Sequence, residues 1–292
     1  MKILITGGLG FLGSQLIIDL LNDGYKIIAL HRRTNFSELL IHPNLTWVNF
    51  DFLQDQFKIL EIDAVLHLAT VYGKNEKSSV IIDSNIVLPI KILELAIKNN
   101  CKLFINTDSY FSKEQFKYKH MQTYVKSKFD FLNWAKILVN NCDKIKFVNF
   151  RIEHVYGPND NFDKFVPFIM KKLAINENIY LTKGEQCRDF IFIKDVIDAY
   201  KTLLNSFIKV PESFIEVEVG TGILTSIYNF VVLAKEIMGS KSSLYFGALE
   251  YREDEIMSSI ANNSSLISLG WKSNYTLKQG LKLTIFEDLK LK

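Results

Sequence analysis

The chain has 292 residues, long enough to bury a large core, with 48% apolar and 23% charged residues, as in ordinary globular proteins. Its 35 basic and 32 acidic side chains leave a net charge of +3 with no basic block, which argues against a nucleic-acid partner. No apolar run reaches the ~18 residues that a membrane span needs, so no membrane partner is expected. The three cysteines, Cys101, Cys142 and Cys187, lie far apart without metal-ligand spacing. They read as free thiols in a reducing compartment, and no metal is expected. A strand opening at Met1 leaves no stretch for a leader, so a cytoplasmic location is expected.

Lys2 to Thr6 is a short apolar run of the kind that forms a buried parallel strand. Gly7, Gly8, Gly10 and Gly13 follow, and Leu12, Leu16, Ile17, Leu20 and Leu21 then repeat at helical spacing. A glycine turn between strand and helix lets the backbone approach a diphosphate, and the helix N-terminus offers N–H groups and partial positive charge. The spacing is G-x-x-G-x-x-G rather than G-x-G-x-x-G, and such turns also join strands to helices for purely structural reasons. Asn22-Asp23-Gly24 ends the helix, and Tyr25 to Leu30 reads as a second strand followed directly by His31-Arg32-Arg33. Dinucleotide folds that take NAD carry Asp or Glu at about this distance. Two guanidinium groups here suit a 2′-phosphate, hence NADP(H), although a solvated basic loop would look the same.

Leu45 to Phe50 is expected as a third strand stopping at Asp51, and Ala64 to Leu68 as a fourth. A helical pattern runs from Ser78 to Ile97 with Pro89 as an irregularity. Lys102 to Asn106 is a fifth strand ending in Thr107-Asp108-Ser109. A helix follows over about 122–139, and Lys146 to Phe150 is a sixth strand. This alternation implies an α/β fold with a doubly wound parallel sheet, in which ligands sit beyond the carboxyl ends of the strands. From Arg151 onward the alternation weakens. Residues 1–155 are expected to form the dinucleotide-binding domain and 156–292 a smaller lobe, with some segments exchanged between them.

Tyr124 and Lys128 stand four residues apart on the helix over 122–139, so their side chains share a face. Of twelve tyrosines, only Tyr124 has lysine at this offset. An ammonium beside a phenol favours the phenolate and would bring the group towards working range as a proton shuttle. A chance pair on a solvated face is the competing reading. Thr107, at the end of the fifth strand, could share the same carbonyl oxygen or simply cap a helix.

With these residues in view, the chain resembles the extended short-chain dehydrogenase/reductase superfamily of nucleotide-sugar enzymes. The resemblance covers nearly the whole length: Thr6 to Gly13, His67-Leu68-Ala69, Thr107, Tyr124 with Lys128, Val155-Tyr156-Gly157-Pro158, Arg188-Asp189-Phe190, Gly220-Thr221-Gly222, Arg252 and Leu269-Gly270-Trp271. The stretches 67–73, 104–111, 151–158 and 246–263, and His120-Met121 before Tyr124, are most similar to members that reduce a CDP-linked 4-keto-3,6-dideoxyhexose. The resemblance implies a Rossmann-type sheet with a smaller C-terminal substrate-binding lobe, and a deoxysugar product for surface polysaccharide such as O-antigen.

It implies Tyr124 as proton donor, Lys128 on the nicotinamide ribose and Thr107 on the 4-keto oxygen. Gly7, Gly10, Phe11, Leu12, His31, Arg32, Arg33, Asp51, Phe52, Leu68, Ala69, Thr70 and Val155 would line the cofactor, together with Tyr124 and Lys128. Thr70, Tyr72, Asp108, Ser109, His154, Arg188 and Arg252 would meet the nucleotide sugar, with CDP favoured as its carrier. The two arginines could instead be ordinary surface ion pairs. Relatives that dehydrate carry Asp and Glu after the threonine; here Ser109 replaces the Glu, which argues against dehydration. Many relatives have Asn where this chain has His154, and either a site role or a packed histidine fits. The helices at about 78–97 and 122–139 are expected to pair two copies in a homodimer. The alternative readings are an NAD-dependent nucleotide-sugar epimerase or dehydratase, and a non-catalytic NADP-binding sensor.

Overall fold

A computed structural model describes residues 1–31, 39–50, 61–73, 76–113, 121–142, 144–209 and 212–289. They fall into two compact units: residues within 1–114, 119–151 and 200–217 form the first, and those within 152–199 and 218–292 the second. No helix among the described residues is long and apolar enough to cross a membrane.

The first unit is built on a seven-stranded sheet. Its strands in chain order are β1 (Lys2–Thr6), β2 (Lys26–His31), β3 (Leu45–Asn49), β4 (Ala64–His67), β5 (Leu103–Ser109) and β6 (Lys146–Ile152). The spatial order is β10-β6-β5-β4-β1-β2-β3, with β10 (Phe214–Val219) at one edge. β1 pairs parallel with β2 and with β4, β2 with β3, and β4 with β5. The strand runs are apolar on both faces, and Ile3, Leu4, Ile5, Val65 and Leu66 are fully buried. This is the Rossmann-type α/β sheet. Its order reverses between β1 and β4, so the loops leaving those strands diverge and open a crevice at their carboxyl ends.

The helix Gln122–Asn140 buries Tyr124, Ser127, Lys128, Phe131, Leu132, Ala135 and Val139, a stripe at three- and four-residue spacing. Phe131 and Leu132 join Ile92, Leu93, Phe104 and Phe147 in the core. Phe147 stacks on Phe104 with centroids 5.3 Å apart, and on Phe214 at the same distance. The same hydrophobic stripe that fixes the helix therefore fixes Tyr124 and Lys128.

Two expectations shift. β5 runs on through Thr107 and Asp108 to Ser109, because the buried Asn106 and Asp108 side chains both bond Asn149 on β6. The pattern over 78–97 resolves into helix Ser78–Ile82, a π-helical turn Asp83–Val87 and helix Leu88–Lys98. The wide turn ends two residues before Pro89, whose missing N–H cannot close an ordinary helical bond.

The second unit has a small sheet in which β9 (Cys187–Phe192) pairs parallel with β7 (His154–Tyr156) and β13 (Ser258–Ser259), and antiparallel with β11 (Leu224–Ser226). A separate parallel pair joins β8 (Ile179–Leu181) to β12 (Leu244–Phe246). Phe190 stacks on Phe230 at 4.3 Å, and Tyr156 meets it edge-on. Asp189 is fully buried and accepts from the Thr221 N–H and hydroxyl and from the N–H groups of Gly222 and Ala261. It fixes the Gly220-Thr221-Gly222 turn. Asp195 accepts from Ser273 Oγ and the N–H groups of Asn274 and Tyr275 and so ties down the segment after Trp271.

Candidate active site

At the end of β1 the chain turns at Gly7, whose φ of +71° favours glycine, and a Cβ there would come within 2.7 Å of the Ala69 nitrogen. A Cβ on Gly13 would collide with the Gly7 carbonyl oxygen, so the helix Phe11–Asn22 sits against the turn only because both positions are glycine. Thr6 Oγ1 accepts from the N–H groups of Leu68 (3.1 Å) and Ala69 (3.0 Å) and bonds His67 Nδ1 at 2.9 Å. Burial, then the nearby Lys128 charge, drive the His67 pKa well below the usual histidine value, so this histidine is a neutral clasp between two strand ends. Gly10 is the N-cap of the helix and no side chain caps it. The turn thus has the glycine clearance and the uncapped helix start that a diphosphate requires. Leu68 and Ala69 lie against Gly7 with Thr70 next in the chain, and His31 ends β2, buried against the edge of Trp47. Arg32, Arg33, Asp51 and Phe52 lie outside the described residues.

Asn85, on the π-helical turn, was not singled out in the sequence, yet it holds this side of the site together. Its side chain accepts from the Val71 N–H (2.8 Å), donates to the Val71 carbonyl (2.8 Å), meets Thr70 Oγ1 and donates to Ser127 Oγ (3.0 Å). Ser127 Oγ in turn donates to the Tyr124 carbonyl at 2.7 Å. The loop after β4 and the helix carrying Tyr124 are therefore cross-linked through one buried amide.

Tyr124 and Lys128 are both buried, at 4% and 3% exposure. Tyr72 stacks on the Tyr124 ring at 5.2 Å. Lys128 Nζ donates to the main-chain carbonyl of Thr107 at 2.9 Å, which joins the helix to the end of β5. The spacing alone suggests that Lys128 lowers the Tyr124 pKa. In the folded chain burial dominates instead and raises it well above the usual tyrosine value, with Tyr72 and Asp108 adding to the rise and a hydrogen bond from Ser109 opposing it. Lys128 itself is pushed down to about 8 by burial, and the Asp108 carboxylate partly restores it. The phenol is thus kept protonated, beside a lysine whose charge is weakened. Thr107 has its hydroxyl 2.6 Å from that of Tyr200.

Asp108, expected at the substrate, has its carboxylate in the interior. It accepts from the Ser109 N–H (2.8 Å), Ser112 Oγ (2.7 Å) and Asn149 Nδ2 (2.9 Å), with Arg151 Nε 3.8 Å away. Arg151 also pairs with Glu216, which takes Lys136 as well.

The second unit holds the other expected residues. Arg188 is buried and pairs with Glu255 at 2.6 Å while donating to the Cys187 carbonyl. It is an interior pair rather than a surface one. Arg252 is exposed, and its carbonyl accepts from the Glu255 N–H. Val155 and His154 are half-buried on β7, with the imidazole edge-on to Phe190 at 5.6 Å. Burial first, then the charges of Arg188 and Lys164, push His154 down to about 3, so it is neutral across the working range.

A protein-family model, "NAD dependent epimerase/dehydratase family", matches residues 3–215. The chain is 40% identical to the CDP-abequose synthase of Salmonella typhimurium over 96% of both chains. It is 27% identical to a putative UDP-glucose 4-epimerase of Methanocaldococcus jannaschii over 97% of each. Among solved structures, a UDP-glucuronic acid 4-epimerase from Bacillus cereus, in complex with UDP-glucuronic acid and NAD, superposes with a TM-score of 0.83 at 22% identity, covering all of both chains. The Thermotoga maritima UDP-glucose 4-epimerase gives 0.80 at 22% identity, over 98% of this chain and 97% of that one. With the family match spanning residues 3–215 and near-complete alignment to a relative at 40% identity, the chain belongs to the NAD dependent epimerase/dehydratase family, the extended short-chain dehydrogenase/reductases.

Proposed function

We propose that the protein is an NADPH-dependent reductase of the C4 ketone of a nucleotide-linked 4-keto-deoxyhexose. CDP-4-keto-3,6-dideoxyglucose is the first candidate, and the product is a deoxysugar for surface polysaccharide. The observation that supports this reading is the bond from Lys128 to the Thr107 carbonyl, next to a buried, protonated Tyr124 whose hydrogen bond comes from Ser109 rather than from a carboxylic acid. The 40% identity to a CDP-abequose synthase supports the choice of CDP and of the sugar.

The residues divide the work as follows. The glycine turn and the uncapped start of the helix Phe11–Asn22 fit the diphosphate of a nicotinamide dinucleotide. His31, Arg32 and Arg33 would meet its 2′-phosphate, Asp51 and Phe52 its adenine, and Leu68, Ala69, Thr70 and Val155 its path. When bound, the reduced nicotinamide supplies the hydride. Tyr124, held protonated by burial, gives its hydroxyl proton to the oxygen developing at C4, and the Lys128 ammonium stabilises the phenolate left behind. Thr107 donates a hydrogen bond to the same oxygen. Arg188 and Arg252 would face the substrate pyrophosphate, with Tyr72, Ser109 and His154 at the sugar.

Purified protein mixed with NADPH and CDP-4-keto-3,6-dideoxyglucose should lose the absorbance of the reduced nicotinamide. No oxidation with this substrate or with its dTDP and GDP counterparts would rule the reaction out. The family match and the 27% relative favour a second reading, an epimerase with tightly held NAD. Denaturing the pure protein and identifying the released nucleotide separates the two, since stoichiometric NAD supports the epimerase. A homodimer would use the outer surface of the helices near 78–98 and 122–140, where Val80, Ile82, Phe129, Trp134 and Ile137 are exposed. Light scattering should then give twice the chain mass, falling to one for Trp134→Glu.

A further inference from the structure

Tyr200 is fully enclosed on the helix Ile193–Ser206, with its ring packed against Phe150 at 4.9 Å. Among the described residues its hydroxyl has one hydrogen-bond partner, Thr107 Oγ1, at 2.6 Å. Both residues belong to the first compact unit. Either oxygen could be the donor on distance alone, but proton bookkeeping decides the direction. Burial raises the Tyr200 pKa above the usual tyrosine value and the hydrogen bond with Thr107 only partly offsets it, so the phenol keeps its proton. A buried donor left without an acceptor costs free energy, and Thr107 is the acceptor within reach. If Thr107 donated instead, the phenol proton would have no partner. A threonine hydroxyl has a single proton and two lone pairs. With one lone pair occupied by Tyr200, the Thr107 proton is left to point elsewhere.

We infer that Tyr200 is a positioning residue for the reduction: its hydroxyl donates to Thr107, fixes the threonine rotamer, and commits the Thr107 proton to the ketone oxygen of the substrate. This rests on the reductase reading above, in which Thr107 touches that oxygen. Lys128 fixes the same residue from its other end, through the main-chain carbonyl. Thr107 is thus held at its backbone by one helix and at its hydroxyl by another. A donor that itself accepts a hydrogen bond is also polarised by it, which strengthens the bond it makes to a developing oxyanion.

The test is a double-mutant cycle with Tyr200→Phe and Thr107→Val, measured as kcat and KM with NADPH and the nucleotide ketosugar. Tyr200→Phe should lower kcat roughly 10- to 100-fold, the scale of a misplaced transition-state donor, with KM and NADPH binding within about twofold of wild type. In the Thr107→Val background the same substitution should change kcat by less than about twofold, because the group it acts through is gone. An unchanged kcat in Tyr200→Phe, a change confined to KM, or losses that multiply in the double variant would each overturn the inference. Should Tyr200→Phe melt below the assay temperature, a tyrosine fluorinated beside its hydroxyl, incorporated at position 200 alone, changes donor strength with almost no change in volume. It must alter kcat with Thr107 present and leave it unaltered with Val there; equal behaviour in both backgrounds overturns the inference. An inert wild type overturns the reductase reading and this inference with it. An active wild type with uncoupled Tyr200 overturns the inference alone.

Discussion

Lys128 and Arg188 are both largely buried cations, one in each compact unit, and they are held in opposite ways. Arg188 faces a full counter-charge, Glu255, at 2.6 Å. Among the described residues Lys128 has only a main-chain carbonyl at hydrogen-bond distance, with the Asp108 charge near it, and falls to about 8. A guanidinium keeps its proton in either environment, whereas a desolvated ammonium becomes a group that titrates near working pH. The second unit therefore offers a fixed charge, and the first a proton-sensitive one beside a protonated phenol. That contrast suits recognition in one place and chemistry in the other.

The most direct way to break the contrast is to remove the proposed proton donor. Tyr124→Phe should lower kcat by about 10²- to 10⁴-fold while nicotinamide-nucleotide binding, followed by fluorescence titration, persists. Exchanging the cations for methionine separates their roles next. Lys128→Met should lose activity on a similar scale with little loss of stability, because it removes a charge that was poorly compensated. Arg188→Met should instead cost about 3–5 kcal/mol in urea unfolding, since it strands Glu255, and Glu255→Gln in the same chain should recover much of that loss.

A smaller effect sharpens the lysine side. In the proposed mechanism the Lys128 ammonium is required, so the rate should hold below pH 8 and fall as the pH rises through about 8. Asp108 raises the Lys128 pKa, so Asp108→Asn should move this alkaline limb to lower pH, read from kcat against pH. The smallest expected effect is at His154, already neutral because its pKa is pushed down to about 3. His154→Asn should leave the shape of the pH profile unchanged across the range where an ordinary histidine titrates.

What was legible in the sequence was local. The strand–glycine–helix start of the chain carries its own periodicity, and Tyr124 and Lys128 reveal their common face by a four-residue offset alone. The parts that stayed hidden depend on pairings far apart in the chain. Thr107 meets Tyr200 across 93 residues, Arg188 meets Glu255 across 67, and Asn85 reaches Ser127 across 42. Nothing in the immediate neighbourhood of Tyr200 distinguishes it from a core aromatic. Thr107-Asp108-Ser109 read as the polar end beyond a strand over Lys102 to Asn106. It is strand because Asn149 on β6 supplies partners that composition cannot announce. The opposite sign of the Tyr124 shift has the same origin: sequence spacing reports proximity to a lysine but not the depth of burial, and burial is the larger effect.

The wide turn at Asp83–Val87 has a consequence for how this segment can vary. Each residue of an α-helix advances the chain by about 100° around its axis. Shortening 83–87 by one residue to restore ordinary winding would swing everything after it by that angle. Ile92, Leu93 and Ala96 would leave the core as one block, while Asn85 would lose either Val71 or Ser127. The turn works as a phase adjuster between two faces that must both be right. Point substitutions on either side of it should therefore be tolerated far better than any change in its length.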